Sequence, residues 1–382
     1  MNLMIQIYMI VCVVLLVFDI GFLIVKNIRS HRFYPRDNRF ENQIKKEIVL
    51  REETGSFSES FQKSLYKQLS KTKNMITLQD QLEANPAAVN MFRNVIFGLL
   101  DEYKKKSDYE QAYYTYIVST LDYSEEKVPA DFAGRFLTFL DSKSLYTFIN
   151  TMNAIYQFGE VHLLVSAIDK TDERQGFYHK KLLVDGLLEA KVDRDAFAEK
   201  MLERFERYST YTQNCLLDFF RLGGCEVSDF CLKLMLSDLV DKEVQYTAMR
   251  YFIKYPNDAA KEYFINILKN EEEWIRQMLA IQALGRYSEP EIRGLIKSKI
   301  TSYNWHVRVN AADYLRKNGL DKEEICEIIN LKDRYTNETL LYQYRDDEEM
   351  TAYISEMIEL AGKENEKVPA VDETLAEGGV TA

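Results

Sequence analysis

Four histidines, His31, His162, His179 and His306, are the side chains best suited to move a proton or hold a metal near neutral pH, and they are scattered along the chain. None has HExxH or HxxxH spacing and no CxxC occurs, so the usual zinc ligands are missing. Cys225 and Cys231 stand six apart with no histidine near them and read as packed thiols. No GxxxxGK[ST], GxGxxG or GxSxG is present, which leaves no phosphate cradle and no nucleophile elbow. Acidic runs such as Glu271 to Glu273 and Asp346 to Glu349 read as solvated faces, and Gly223-Gly224 as a turn. The residues therefore assign no catalytic, cofactor-binding or metal site, and the chain is not expected to be an enzyme.

Binding chemistry is better represented. Trp274 and Trp305, the only tryptophans, lie 31 apart just before successive predicted helices. Two readings stand: an exposed aromatic ladder for a protein partner, since tryptophan is enriched at binding hot spots, or rings packed between structural repeats. Tyr103, Tyr109, Tyr113, Tyr114 and Tyr116 cluster beside Lys104, Lys105 and Lys106. They read either as a groove lining or as a helix face along which the lysine stems lie.

The elements that position these residues follow from a repeat. Ala248, Ala280 and Ala311 form one column at spacings of 32 and 31. Four residues on, Phe252, Leu284 and Leu315 form another, and Leu268, Ile300 and Leu331 keep the same two spacings. Weaker copies place Cys215, Phe219 and Met235 one step earlier, and Leu183, Leu187 and Leu202 a step before that. Small and large residues four apart share a helical face, where alanine admits a close neighbour and Phe or Leu fills the groove beside it. Turn signals at Tyr255 to Asp258, Tyr287 to Pro290 and Lys317 to Gly319 split each copy into two helices. A helix–turn–helix unit at this period predicts an α-solenoid.

The segment from Val307 to Leu315, VRVNAADYL, resembles the first helix of HEAT repeats, particularly the short type of phycobilisome lyases. Ile275-Arg276 with Ala280 and Ala283-Leu284-Gly285 resembles it with a one-residue slip, and Val244-Gln245 with Ala248 more loosely, glutamine replacing the arginine. The resemblance implies that Arg276 and Arg308 join a ladder between repeats with an acidic turn residue. They are kept with Trp274 and Trp305 as candidate partner-binding positions. It also implies a scaffold or adaptor, with a lyase-like enzyme or a ligand sensor on the same solenoid as the alternative.

Leu3 to Val25 is a run of 23 largely apolar residues interrupted mainly by Gln6 and Asp19. As a helix it would extend about 34 Å, enough to cross a bilayer core. It has no basic residue before it and no small-residue cleavage site, and Lys26, Arg29, Arg32 and Arg36 follow it. This predicts one uncleaved transmembrane helix, with the N-terminus outside and the rest cytoplasmic. The scattered cysteines fit a reducing compartment. Asp19 costs about 2.5–3.5 kcal/mol if held at mid-membrane. It is read as reaching the headgroups beside Lys26 and Arg29, or as contacting a partner helix within the membrane.

Residues 26–60 are expected to be a basic juxtamembrane segment, attracted to anionic lipid headgroups, followed by a linker. Residues 61–171 are expected to form the N-terminal helical part of the solenoid, 172–360 the HEAT-like repeats, and 361–382 a disordered tail. The chain has 382 residues, 46% of them hydrophobic, and a net charge of −11, which disfavours nucleic acid as a partner. The expected protein is all-α: a single N-terminal transmembrane helix followed by a HEAT-like α-solenoid, acting as a bacterial inner-membrane scaffold with no cofactor. Its expected partner is a membrane-embedded protein, with a polysaccharide synthase or glycosyltransferase as the first choice.

Overall fold

A computed structural model describes residues 11–21, 38–51, 57–124, 127–174 and 178–366. All regular structure among them is helical. The chain divides into two compact units, Met1–Cys215 and Leu216–Ala382.

In the first unit, α1 covers residues 11–21. It is followed by α2 (Asn38–Arg51), α3 (Glu59–Leu69), α4 (Thr72–Ala84), α5 (Arg93–Gly98), α6 (Leu100–Tyr103) and α7 (Asp108–Thr120). Next come α8 (Ala130–Phe136), α9 (Leu145–Phe158), α10 (Val161–Glu173), α11 (Lys180–Glu189) and α12 (Arg194–Leu202). The division between units falls inside α13 (Thr210–Gly223). Helices α2, α4, α7, α9 and α11 pack each on the next, and α10 packs on α12. The core between them is aromatic: Tyr114, Phe136, Phe139 and Phe148 are fully buried or nearly so.

The second unit continues with α14 (Ser228–Leu236), α15 (Lys242–Lys254), α16 (Asp258–Asn270), α17 (Trp274–Ala283) and α18 (Pro290–Lys297). It ends with α19 (Trp305–Lys317), α20 (Lys322–Ile329), α21 (Arg334–Tyr344) and α22 (Glu348–Glu366). Helices α15, α17, α19 and α21 form one layer, each packed on its successor. In the other layer α16 packs on α18 and α20 on α22, while α16–α17 and α18–α19 contacts tie the layers together. The three alanines of the repeat column are completely buried, and Phe252, Leu284 and Leu315 beside them are buried too. Side chains on Asp241, Asn257, Asn304, Asp321 and Asp333 accept hydrogen bonds from the first-turn amides of their helices. Such caps satisfy donors that have no partner inside the helix.

Several sequence expectations need correction. Leu331 does not belong to the core column: it is 57% exposed, because α20 stops at Ile329 and the buried positions are Ile325, Ile328 and Ile329. Leu202 is half-buried, its neighbour Met201 taking the buried place. The juxtamembrane stretch is in part folded, since α2 buries Phe40, Ile44 and Ile48 and packs on α4. The linker ends before Glu59, where α3 begins, and residues 52–56 lie outside the described residues. Helix α22 extends to Glu366, six residues into the expected tail, and 367–382 lie outside the described residues. Most of the expected transmembrane run also lies outside them. Among the described residues no helix is long and apolar enough to cross a membrane.

Candidate partner-binding faces

Asn304 caps α19, and this fixes where Trp305 and Arg308 point. Trp305 keeps 40% of its surface exposed and meets the ring of Tyr342 on α21 edge to face, with centroids 5.4 Å apart. The Arg345 guanidinium sits 4.2 Å from the centroid of Tyr342. Tyr335, which shares the Arg308 guanidinium with Trp305, is 58% exposed, and Tyr303, two residues before Trp305 in sequence, is 79% exposed. Trp274 is half-buried on α17 and stacks on His306 of α19 at 5.3 Å. Each tryptophan thus braces the first helix of the next repeat, while Trp305 also contributes to an open aromatic face with Tyr303, Tyr335, Tyr342 and Arg345. Sequence reading missed Tyr335 and Tyr342, although seven residues on a helix bring two side chains to one face.

The two arginines do different jobs. Arg308 is 5% exposed; its Nη1 donates to the carbonyls of Ser302 at 2.6 Å and Tyr303 at 3.0 Å. Its guanidinium lies 5.8 Å from the Trp305 ring and 5.3 Å from that of Tyr335, close enough for cation–π attraction. Gln277 Nε2 donates to the carbonyl of Glu271, and Gln245 Nε2 to those of Ser237 and Val240. Gln245, Gln277 and Arg308 each stand three residues before the column alanine, so they are one column. In these three copies the buried side chain closes the preceding turn. Arg276 is outside that column. It makes an ion pair with Glu271 at 2.9 Å and donates to the hydroxyl of Tyr263. The Glu271 contact is one of charge, because the Nε–H is not aligned for a hydrogen bond.

Carboxylates secure turns in the same layer of helices. The hydroxyl of Thr336 donates to Asp333 and holds its carboxyl below the usual range; burial opposes this, while the Thr336 amide and the Arg308 charge add to it. Burial alone would raise Glu273. The Tyr246 hydroxyl and the Lys242 ammonium outweigh that effect and lower it. Arg276 thus pairs with an acidic residue of its own preceding turn, Glu271, while the contacts of Arg308 go to carbonyls and rings.

The tyrosine run separates into two sets. Tyr103 and Tyr114 are fully buried and stack at 4.9 Å, their hydroxyls donating to the carbonyls of Leu69 and Ile96. Lys106 lies 4.2 Å from the Tyr103 centroid and bonds the Ser70 carbonyl, so it belongs to the fold and not to a loose cationic face. Tyr109, Tyr113 and Tyr116 line a groove of about 550 Å³ whose far side carries Tyr146 and Asn150 of α9. Its floor is Ala112, whose carbonyl accepts from Asn150 Nδ2 at 2.9 Å.

Other candidate chemistry disperses. Cys215, Cys225 and Cys231 are buried, and burial pushes the Cys231 thiol up to about 12, away from the reactive thiolate. His179 caps α11 and His306 stacks on Trp274, while His31 lies outside the described residues. Among the described residues no group of three or more His, Cys, Asp or Glu is placed to hold a metal ion. Asp19 is exposed on α1 amid exposed Val17, Phe18 and Ile20. Compared with known proteins, the chain matches no family model and no curated sequence.

Proposed function

We propose that this protein is a membrane-anchored scaffold of HEAT-like repeats whose second unit grips a protein partner through the face of Tyr303, Trp305, Tyr335, Tyr342 and Arg345. The observation that carries this reading is the combination of exposure and support at that face. Its rings are open to solvent, yet Trp305 and Tyr335 are backed by the buried Arg308 and Tyr342 by Arg345. Aromatic residues and arginine in fixed positions lose little entropy on binding and dominate interface energetics.

The anchor rests on the apolar run from Leu3 to Val25. In its described part, Val13, Leu15, Leu16, Val17 and Phe18 are each more than half exposed on α1, apolar surface that a bilayer or a partner helix would cover. The basic flank after it favours a single pass with the N-terminus outside and both units in the cytoplasm, in the manner of a bacterial inner-membrane protein. Anionic headgroups beneath it would meet Lys26, Arg29, Arg32 and Arg36. Asp19 is then placed to contact a polar group on a partner helix. Anchor and aromatic face on one chain reinforce each other through effective concentration, which suits a client that is itself membrane-embedded, such as a polysaccharide synthase or glycosyltransferase.

The test is affinity purification of the intact chain from gently solubilised membranes beside a form starting at Lys26, which keeps α2 on α4. A stoichiometric membrane protein recovered with the intact chain, and recovered several-fold less with the shorter form, supports the reading. Recovery of no membrane protein with either form contradicts it.

A further inference from the structure

The groove between α7 and α9 in the first unit has a composition unlike the surface around it. Tyr109, Tyr113 and Tyr116 form one wall, Tyr146 stands on the other, and Gln79 and Asn150 supply amides. No lining residue carries a charge, in a chain whose net charge is −11. An uncharged lining excludes occupants that need a fixed counter-ion, and it disfavours acidic or basic peptides.

We infer that this groove binds a proline-rich segment of a partner protein in the polyproline II conformation. Three features of the site select that occupant. The first is spacing: positions 109, 113 and 116 share one helical face, and Tyr109 to Tyr116 spans seven residues, about 10.5 Å along the axis. A polyproline II turn of three residues advances about 9.3 Å, so one turn of the ligand is about as long as the Tyr109 to Tyr116 span.

The second is hydrogen-bonding capacity. Phenol hydroxyls and the amides of Gln79 and Asn150 can donate to carbonyls that a ligand leaves open. A helical peptide uses its carbonyls internally, whereas a polyproline II chain leaves every one of them open. The third is rigidity. Ala112 keeps the floor low, Asn150 ties α9 to α7 across it, and the Tyr109 and Tyr113 rings pack edge to face at 5.0 Å. A preformed aromatic slot meeting a preformed extended ligand is the economical form of peptide recognition.

The experiment uses the full chain and a fluorescein-labelled, end-blocked proline decamer, with a glycine–serine decamer as control and fluorescence anisotropy as readout. Saturable binding of the proline decamer alone is expected. Tyr146→Ala and Tyr116→Ala should each weaken it at least fivefold, and Tyr146→Phe, which keeps the ring and removes the donor, by a smaller factor. Tyr146 is 75% exposed, so its replacement should leave the thermal melting point unchanged and separate a lost contact from a lost fold. Absence of saturable binding overturns the inference. So does equal binding of both decamers, binding indifferent to Tyr146→Ala and Tyr116→Ala, or binding of a neutral oligosaccharide such as cellohexaose in place of the decamer.

Discussion

Trp305 and Tyr342, 37 positions apart in sequence, meet edge to face at 5.4 Å and join α19 to α21 while both stay partly exposed. Such a ring pair contributes about 0.5–1.5 kcal/mol beyond the area it buries. Trp305→Ala should therefore lower stability to urea by about 1 kcal/mol, and Tyr342→Ala in the Trp305→Ala background should cost less than it does alone. A double-mutant cycle checks this. Strict additivity would mean that the contact contributes nothing.

Arg308 is predicted to be structural. Arg308→Ala leaves the carbonyls of Ser302 and Tyr303 without their donor inside the fold, a loss of about 1–3 kcal/mol for a buried unsatisfied group. Arg308→Gln should recover more than half of that, because Gln245 and Gln277 close the equivalent turns with an amide. Urea unfolding of the two variants measures the difference. Equal losses would show that the charge matters and the turn closure does not.

That column shows where sequence reading succeeded and where it slipped. The alanines at 248, 280 and 311 were legible because a completely buried small residue recurs at a fixed interval. The polar column three residues earlier was seen only in part: Gln245 was aligned with the arginine position, but at the middle copy a charged neighbour drew the alignment one residue out of register. Arg276 was therefore taken for the partner of Arg308, the place Gln277 holds. Leu331 was misplaced for a related reason: α20 is only eight residues long, against thirteen in α16, and periodicity alone does not mark where a helix stops. The face around Tyr342 was invisible because it joins two copies whose spacing had drifted. The tyrosine run could be seen but not sorted, since five rings on consecutive turns become core or groove only once α9 packs against α7.

Two glycines should respond to alanine with opposite signs. A Cβ at Gly186 would lie 2.2 Å from the buried ring of Tyr156, where α11 crosses α9. Gly186→Ala should destabilise the chain by about 1–3 kcal/mol, the usual cost of overpacking. At Gly294 on α18 a Cβ meets nothing within 4 Å, so Gly294→Ala should stabilise by about 0.4–1 kcal/mol through the unfolded chain. Thermal melts of both variants decide it, and a neutral Gly186→Ala would refute the tight crossing.

Stability should fall on acidification. Asp333, Glu110 and Glu273 all titrate below their ordinary range in the folded chain. At Glu110 burial raises the carboxyl, but hydrogen bonds from Thr72 and Ser107 and the Lys106 charge lower it further. Depressed folded values mean that the unfolded state binds more protons, so their stabilisation is present above about pH 4 and is lost as pH falls through the folded values. The urea midpoint should hold from pH 7 to about 5 and then drop, less steeply for Asp333→Asn. A midpoint unchanged down to pH 3 would contradict this.

The central claim is that the face of Tyr303, Trp305, Tyr335 and Tyr342 contacts a protein partner. The direct measurement places a photo-crosslinking amino acid at Tyr303 or Tyr335, and at exposed Glu323 on α20 as the control, in the intact chain in its native membrane. The account predicts one discrete crosslinked species from the two aromatic positions and none from Glu323. Equal crosslinking from all three positions, or none from Tyr303 and Tyr335, would contradict it.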